Sequence, residues 1–375
     1  MGRRYYEEYT GPWYNPATWS KKVWALLVLG VAIVIAIVVP VAVVVSRNNA
    51  EANKYPDYTQ LNYTLKDTYS GESFFDNFNY FNTYDPADGF VHYVPASTAQ
   101  SLNLTYASNT SAVLRVDTSV GPDSDPNAST GRFSVRVESK TQYDNGLFVF
   151  EVKHTPYGCG TWPALWLVDP NNNIWPSHGE IDIMEAVNQA TTGNMMTLHT
   201  TGDCTMQSVK RLMTGTAEQG DCHNTTNDNT GCGVDGSAST YGATYNSDGG
   251  GTVAVEWRDA GIRMWQFAEG SIPADITAGN PDPSTWGTAL ADFPDTKCNI
   301  GTHFTNASII VNIDLCGSLG EAKYPSSSCP KNCVGDYTCI GGSSPTNCTD
   351  YVANNPSAFT DAYWEFGTFK IYQAA

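Results

Sequence analysis

The stretch Gly179-Glu180-Ile181-Asp182-Ile183-Met184-Glu185-Ala186 loads three carboxylates onto one apolar segment, and a chain that packs such a segment into a core has few ways to fold. Ile181, Ile183 and Met184 are interleaved with acids in a β-favouring run bounded by Gly179, which predicts a strand with one apolar and one acidic face. The strand period of two puts Glu180 and Asp182 on the same side. Glu185 would point to the other side in a regular strand, and a β-bulge at Ile183-Met184 brings it back beside the first two. The motif thus predicts its own irregularity.

With that bulge, Glu180 and Glu185 lie effectively four strand residues apart, roughly 13 Å between Cα atoms at ~3.3 Å rise per residue. Two glutamate side chains leaning together can close the gap to the roughly 5 to 5.5 Å that retaining glycosidases hold between a nucleophile and an acid/base. Three adjacent carboxylates do not all ionise cheaply, so at least one proton is shared near neutral pH, as a general acid requires. From the segment alone, an exposed acidic strand face and a metal site of Asp and Glu ligands stay open as alternatives.

Elsewhere short alternating runs recur, among them Ala112-Val-Leu-Arg-Val116, Arg132-Phe-Ser-Val-Arg-Val-Glu138, Gly146-Leu-Phe-Val-Phe-Glu-Val152 and Val253-Ala-Val-Glu-Trp257. Turns rich in Gly, Pro and Asn separate them, and only 15% of the residues are charged. This pattern predicts an all-β, antiparallel β-sandwich in one domain. Residues 201–251, rich in Gly, Asn, Thr and Cys, are expected to be an insertion of loops held by Cys204, Cys222 and Cys232.

Residues 23–45 form an uncharged, almost wholly aliphatic run of 23 residues, long enough to cross a bilayer and too long for a signal-peptide core. Arg3, Arg4, Lys21 and Lys22 precede it while only Arg47 and Lys54 follow closely, so the positive-inside rule orients the N-terminus to the cytosol. The expected protein is single-pass type II, with a cytosolic tail over 1–22, a transmembrane helix over 23–45 and a polar stalk over 46–61. The remainder, 62–375, is then extracellular or lumenal. Its strong excess of acidic over basic side chains argues against nucleic acid or an anionic membrane surface as partner. All ten cysteines lie at or beyond Cys159, which reads as disulfide usage, with a zinc module around Cys329, Cys333 and Cys339 as the weaker alternative. Sequons at Asn62, Asn103, Asn109, Asn127, Asn224, Asn306 and Asn347 agree with a secretory route.

The Glu-Ile-Asp-Ile-Met-Glu run resembles the catalytic signature of glycoside hydrolase family 16, in the bulged form of its laminarinase-like, fungal-type endo-1,3(4)-β-glucanases. Tyr157-Gly-Cys-Gly-Thr-Trp-Pro-Ala-Leu-Trp166, Trp175-Pro176, Thr197-Leu-His-Thr200 and the closing Ala362-Tyr-Trp-Glu-Phe-Gly-Thr-Phe-Lys-Ile-Tyr372 are similar to family strands and loops. The resemblance runs from about residue 69 to the C-terminus. It implies a concanavalin-like β-jelly roll over 62–375, with a polysaccharide substrate, a β-glucan, in a cleft across one sheet. Glu180 is then the nucleophile, Asp182 its assistant and Glu185 the acid/base, with no metal or other cofactor required.

Trp162 and Trp166 lie four apart on a presumed strand and should share a face; indoles bind sugar rings and fill cores equally well. The resemblance favours Trp166 and Trp175 as glucose platforms, leaves Trp162 undecided, and matches Arg136 to an arginine of the non-reducing subsites. His199 should face the site from an adjoining strand and bond the acid/base or a sugar hydroxyl. Satisfied structural roles stay open for both Arg136 and His199. Two departures concern specificity: Cys316-Gly317-Ser318-Leu319 stands where related laminarinases read Cys-Gly-Asp-Trp, and His92 where many carry Asn. The leading expectation is a retaining endo-β-glucanase acting on β-1,3 or mixed β-1,3/1,4 linkages. A cell-wall glucan transglycosylase or β-1,6-glucan assembly protein and a non-catalytic glucan-binding protein are the alternatives.

Overall fold

The computed structural model describes residues 15–52, 54–121, 123–125, 127–171, 173–330 and 347–375. The chain divides into two compact units, Met1–Lys54 and Tyr55–Ala375. In the first, a single helix runs Lys21–Ala52, with Pro40 inside it. Its stretch Lys21–Arg47 is long and apolar enough to cross a membrane, and 0% of it is buried within the protein. At ~1.5 Å per residue such a stretch reaches about 40 Å, more than a bilayer's hydrocarbon core.

Two antiparallel sheets of eight strands each build the second unit. One runs in the order Ala291–Pro294, Gly261–Ala268, Gly251–Arg258, Gly146–His154, Tyr363–Ala374, Ala112–Arg115, Thr105–Ala107, with Tyr63–Tyr69 also paired to Tyr363–Ala374. The other runs Thr216–Ala217, Cys232–Asp235, Met195–His199, Glu180–Glu185, Thr161–Val168, Ala307–Leu315, Arg136–Tyr143, Phe78–Phe81. Alternation does what period two demands. Phe148, Phe150, Val253, Val255, Phe366 and Phe369 of the first sheet and Leu165, Leu167, Ile181, Ile183, Ile309 and Val311 of the second meet in one core. The outer face of the second sheet is left to polar and aromatic side chains, and the three carboxylates lie there.

Three local expectations change. The run 132–138 is two strands, Arg132–Ser134, which pairs in parallel with Val91–Tyr93, and Arg136–Tyr143 in the second sheet. The segment 201–251 is more than loops, since Thr216–Ala217 and Cys232–Asp235 extend the second sheet and a helix forms over Gly242–Ser247. The polar stalk ends early: Tyr55 and Tyr58 donate their hydroxyls to the buried Asp292 carboxylate at 3.0 and 3.2 Å, and Arg263 stacks 4.0 Å from the Tyr58 ring. Gly261 leaves room for that tyrosine, because a Cβ there would strike the Tyr58 hydroxyl.

Disulfides join Cys159–Cys329, Cys204–Cys298, Cys222–Cys232 and Cys316–Cys348. Cys329 is thereby withdrawn from any zinc module. Cys333 and Cys339 lie outside the described residues, as does most of the expected cytosolic tail.

Candidate active site

The Glu180–Glu185 strand carries the bulge that its sequence calls for. Against Met195–His199 the register runs Glu180 to His199 and Asp182 to Thr197, then slips before Glu185 meets Met195. Against Thr161–Val168 the slip falls between Asp182 and Met184. Ile181, Ile183 and Met184 are consequently all in the core, and Glu180, Asp182 and Glu185 share the outer face. Gly179 opens the strand at φ +69°, where a Cβ would run into the Phe304 ring and the His303 carbonyl.

The bulge breaks the hydrogen-bond ladder, and Asn194 repairs it. Its Oδ1 accepts from the Glu185 backbone N–H and its Nδ2 donates to the Ile183 carbonyl, both at 2.9 Å, so one side-chain amide substitutes for a missing peptide. Asn194 is 1% exposed and is itself fixed by donating its backbone N–H to the Thr240 hydroxyl at 2.9 Å.

Each glutamate accepts one indole N–H: Trp162 Nε1 donates to Glu185 at 2.7 Å, and Trp175 Nε1 donates to Glu180 at 2.8 Å. Burial pushes Glu180 up to about 7, opposed by the Trp175 N–H and the Arg136 charge. Burial likewise pushes Glu185 up to about 7; the Trp162 N–H and His199 pull it down, and the Glu180 charge adds to the rise. Asp182, between them and 4% exposed, is held well above the usual carboxylate range by burial and by both glutamate charges. Near neutral pH the cluster therefore keeps protons that isolated carboxyls would have lost, which is the state an acid catalyst needs.

His199 faces the same cluster. Its Nε2 lies 3.6 Å from Asp182 Oδ2, and its Nδ1 is 3.2 Å from Asn229 Oδ1. Burial lowers its pKa against the opposing pull of the Glu185 charge and the Asn229 hydrogen bond, which favours the neutral imidazole. Glu180, Asp182 and His199 each bring one ligand atom within 4.8 Å of the others, so among the described residues this trio has the spacing of a metal site. The indole donors and the proton-retaining carboxyls are the chemistry of proton transfer, whereas metal ligation favours ionised carboxylates.

Trp166 lies on the outer face of the same strand as Trp162, as their spacing predicts, and its Nε1 donates to Asn312 Oδ1 at 2.9 Å. The Arg136 guanidinium is 2% exposed, set 5.0 Å from the Trp166 ring and 4.5 Å from the Phe81 ring, with Nε donating to Glu138 at 3.0 Å. Arg136 thus packs against the Trp166 ring, and its charge acts on Glu180. Trp175 is 36% exposed and sits at the rim. The expected residues come together on one face; Asn194, Asn229 and Asn312 join them without any signal in an Asn-rich sequence.

A model of the "XgeA-like, catalytic GH16 domain" matches residues 78–372, which includes the whole bulged strand. The chain belongs to glycoside hydrolase family 16. Among its family 16 relatives, a probable glycosidase of Schizosaccharomyces pombe is 39% identical over 87% of this chain and 73% of its own. The endo-1,3(4)-β-glucanase xgeA of Emericella nidulans is 37% identical over 83% of this chain, which spans 47% of that relative's length. Laminarinase 16A from Phanerochaete chrysosporium, solved with 6-O-glucosyl-laminaritriose in donor and acceptor sites, superposes with a TM-score of 0.73 at 40% identity, covering 83% of this chain and 99% of that one. A family 16 elongating β-1,3-glucosyltransferase superposes at 0.71 with 36% identity, over 83% of this chain and 100% of that one.

Proposed function

We propose that this protein is a retaining endo-β-glucanase that cleaves internal β-1,3, or mixed β-1,3/1,4, glucosidic bonds, with Glu180 as nucleophile and Glu185 as acid/base. The observation that carries the reading is the bulged strand that turns both glutamates and Asp182 to one face, each glutamate held by its own indole N–H. The relatives' names and the laminarin-derived ligand of the solved neighbour support the substrate class. Glu180 attacks the anomeric carbon while Glu185 protonates the departing glycosidic oxygen. Glu185 then takes a proton from water, which attacks the same carbon and releases Glu180. Asp182 lies against Glu180 and shares the proton that the pair must redistribute between the two steps. Trp166 and Trp175 offer rings for sugar stacking, and a glucan is bound by these faces and by the polar groups between them.

The test is the anomer formed first: proton NMR within the first minutes of laminarin hydrolysis should show β-configured reducing ends, because two displacements restore the starting stereochemistry. An α product overturns both role assignments. A second reading, transfer of the glycosyl group to another glucan, is favoured by the similarity to an elongating glucosyltransferase and by Leu319, which stands where the family resemblance leads one to expect tryptophan. Product sizing separates the two, since transfer yields chains longer than the substrate. The apolar Lys21–Arg47 helix and the basic residues before it support a type II anchor that holds the enzyme at a membrane with its catalytic unit outside or lumenal.

A further inference from the structure

Residues 222–232 form a loop closed by the Cys222–Cys232 disulfide, and Cys232 pairs with Leu198 in the sheet, one residue before His199. Inside the loop, Asn227, Asp228 and Asn229 stand in succession at φ +50°, +55° and +61°. Left-handed backbone is costly for side-chain-bearing residues, and a run of three is a feature that the surrounding contacts must hold in place. Asn and Asp tolerate it best, which accounts for the residue types chosen. Gly231 follows, also at positive φ, where a Cβ would lie 2.8 Å from the His199 ring. The left-handed turn thus brings the backbone hard against His199 and presents Asn229 Oδ1 to its Nδ1 at 3.2 Å.

We propose that Asn229 is a positioning residue that fixes the tautomer of His199: its side-chain carbonyl accepts the Nδ1–H, so Nε2 carries the lone pair on the side where Asp182 lies 3.6 Å away. A neutral imidazole has one N–H, and the partner of one nitrogen decides what the other offers. With Nδ1–H engaged, Nε2 is an acceptor toward the carboxyl cluster of Glu180, Asp182 and Glu185. It can receive a hydrogen bond from a protonated Asp182 or from a sugar hydroxyl. The opposite tautomer would add a donor there, favour ionised Asp182, and hold the cluster's proton less well for the acid step. The disulfide and the strained turn make this choice part of the folded loop.

This inference rests on the catalytic reading above, and a spectroscopic readout keeps the two separable. The full-length protein in detergent micelles is labelled with 15N-histidine, and the His199 signals are assigned by their loss in His199→Asn. At a pH where the ring is neutral, the 15N shifts should report protonated Nδ1 and bare Nε2 in wild type. Asn229→Gly removes the acceptor at a backbone angle that glycine prefers, so it should fold at least as stably. It should nonetheless lose or mix the tautomer and lower kcat on laminarin at least about tenfold, with a smaller change in KM and a displaced pH profile. Asn229→Asp, which restores an acceptor in the same place, should recover the Nδ1–H signature. Protonated Nε2 in wild type, or an unchanged tautomer and pH profile in Asn229→Gly, would overturn the proposal. If wild type shows the expected tautomer but no glucan is cleaved, the catalytic reading fails while the assignment to Asn229 stands.

Discussion

Trp162 and Trp175 each give one indole N–H to a glutamate, and a hydrogen bond to the charged form lowers a carboxyl's pKa. Their removal should therefore move different limbs of the pH profile. Trp175→Phe raises Glu180, the proposed nucleophile, which must be ionised to attack, so the acidic limb of kcat/KM moves to higher pH. Trp162→Phe raises Glu185, the proposed acid/base, which must start protonated, so the alkaline limb extends. The wild-type bell should centre near neutrality; each substitution moves one limb to higher pH, which narrows the bell in Trp175→Phe and widens it in Trp162→Phe. Identical profiles in the two variants would show that the indoles do not tune the glutamates separately. Trp162 is the instructive residue here: its position four before Trp166 already placed it on the right face, but nothing in its neighbours showed that it would reach Glu185.

At the scale of elements, the bulge depends on Asn194 and the start of the catalytic unit depends on two tyrosines. Asn194→Ala leaves the Glu185 N–H and the Ile183 carbonyl buried without their partner, a loss on the order of 2 kcal/mol or more in stability. Because Glu185 follows directly, kcat should fall as well, whereas Asn194→Gln, with both groups present at the wrong reach, should restore little. Denaturant unfolding together with initial rates checks both parts. The segment after the helix makes a complementary case. Chains that begin at residue 55 keep the hydroxyl contacts of Tyr55 and Tyr58 with Asp292, and chains that begin at residue 62 leave that carboxyl buried with fewer partners. The shorter protein should melt several degrees lower, and equal melting temperatures would mean that the segment adds nothing to the fold.

For the molecule as a whole, the buried acids set how stability responds to pH. Glu180, Asp182, Glu185, Asp235, Asp292, Asp314 and Glu321 all have raised pKa values in the fold, chiefly through burial. Between the unfolded carboxyl range near 4 and the folded values, the native state holds more protons than the unfolded chain. Stability from these groups is then complete at the acid end and is lost as pH rises through their folded values, about 7 for Glu180 and Glu185. His154, His199 and His303 have lowered values and act in the opposite sense below about 6.5, and Asp169, lowered by its hydrogen bonds, opposes only at more acidic pH. The carboxyls outnumber them, and the net charge of −18 adds repulsion that acid relieves. The melting temperature should therefore be higher near pH 5 than near pH 8, with a smaller difference in Asp182→Asn. A steady rise from pH 5 to pH 8 would contradict this balance.

What the amino-acid sequence determined by itself is the set of choices that local pattern controls. Alternation of apolar and polar residues decides which side chains face a core, so the strands, the sandwich class, the shared face of Glu180, Asp182 and Glu185 and the bulge between them are all legible in residues 179–186 and their counterparts. The aliphatic run before residue 46 is legible for the same reason, since every face of it is apolar. What each outward side chain meets was decided by the tertiary structure, because those partners come from strand order, register and loop return. Asn194 reaches the bulge and Asn229 reaches His199 only once sheet pairing brings them alongside. Arg136 comes to within 5.0 Å of the Trp166 ring because Ala307–Leu315 inserts between their strands, pairing Asn312 with Arg136 and Ile310 with Trp166. Cys204 pairs with Cys298 instead of with a neighbour in its own insertion, and Tyr55 and Tyr58 leave the expected stalk because their hydroxyls bond the buried Asp292 carboxylate alongside the Leu212 N–H. Pattern specifies a direction for each side chain, and only the packed chain supplies what stands there.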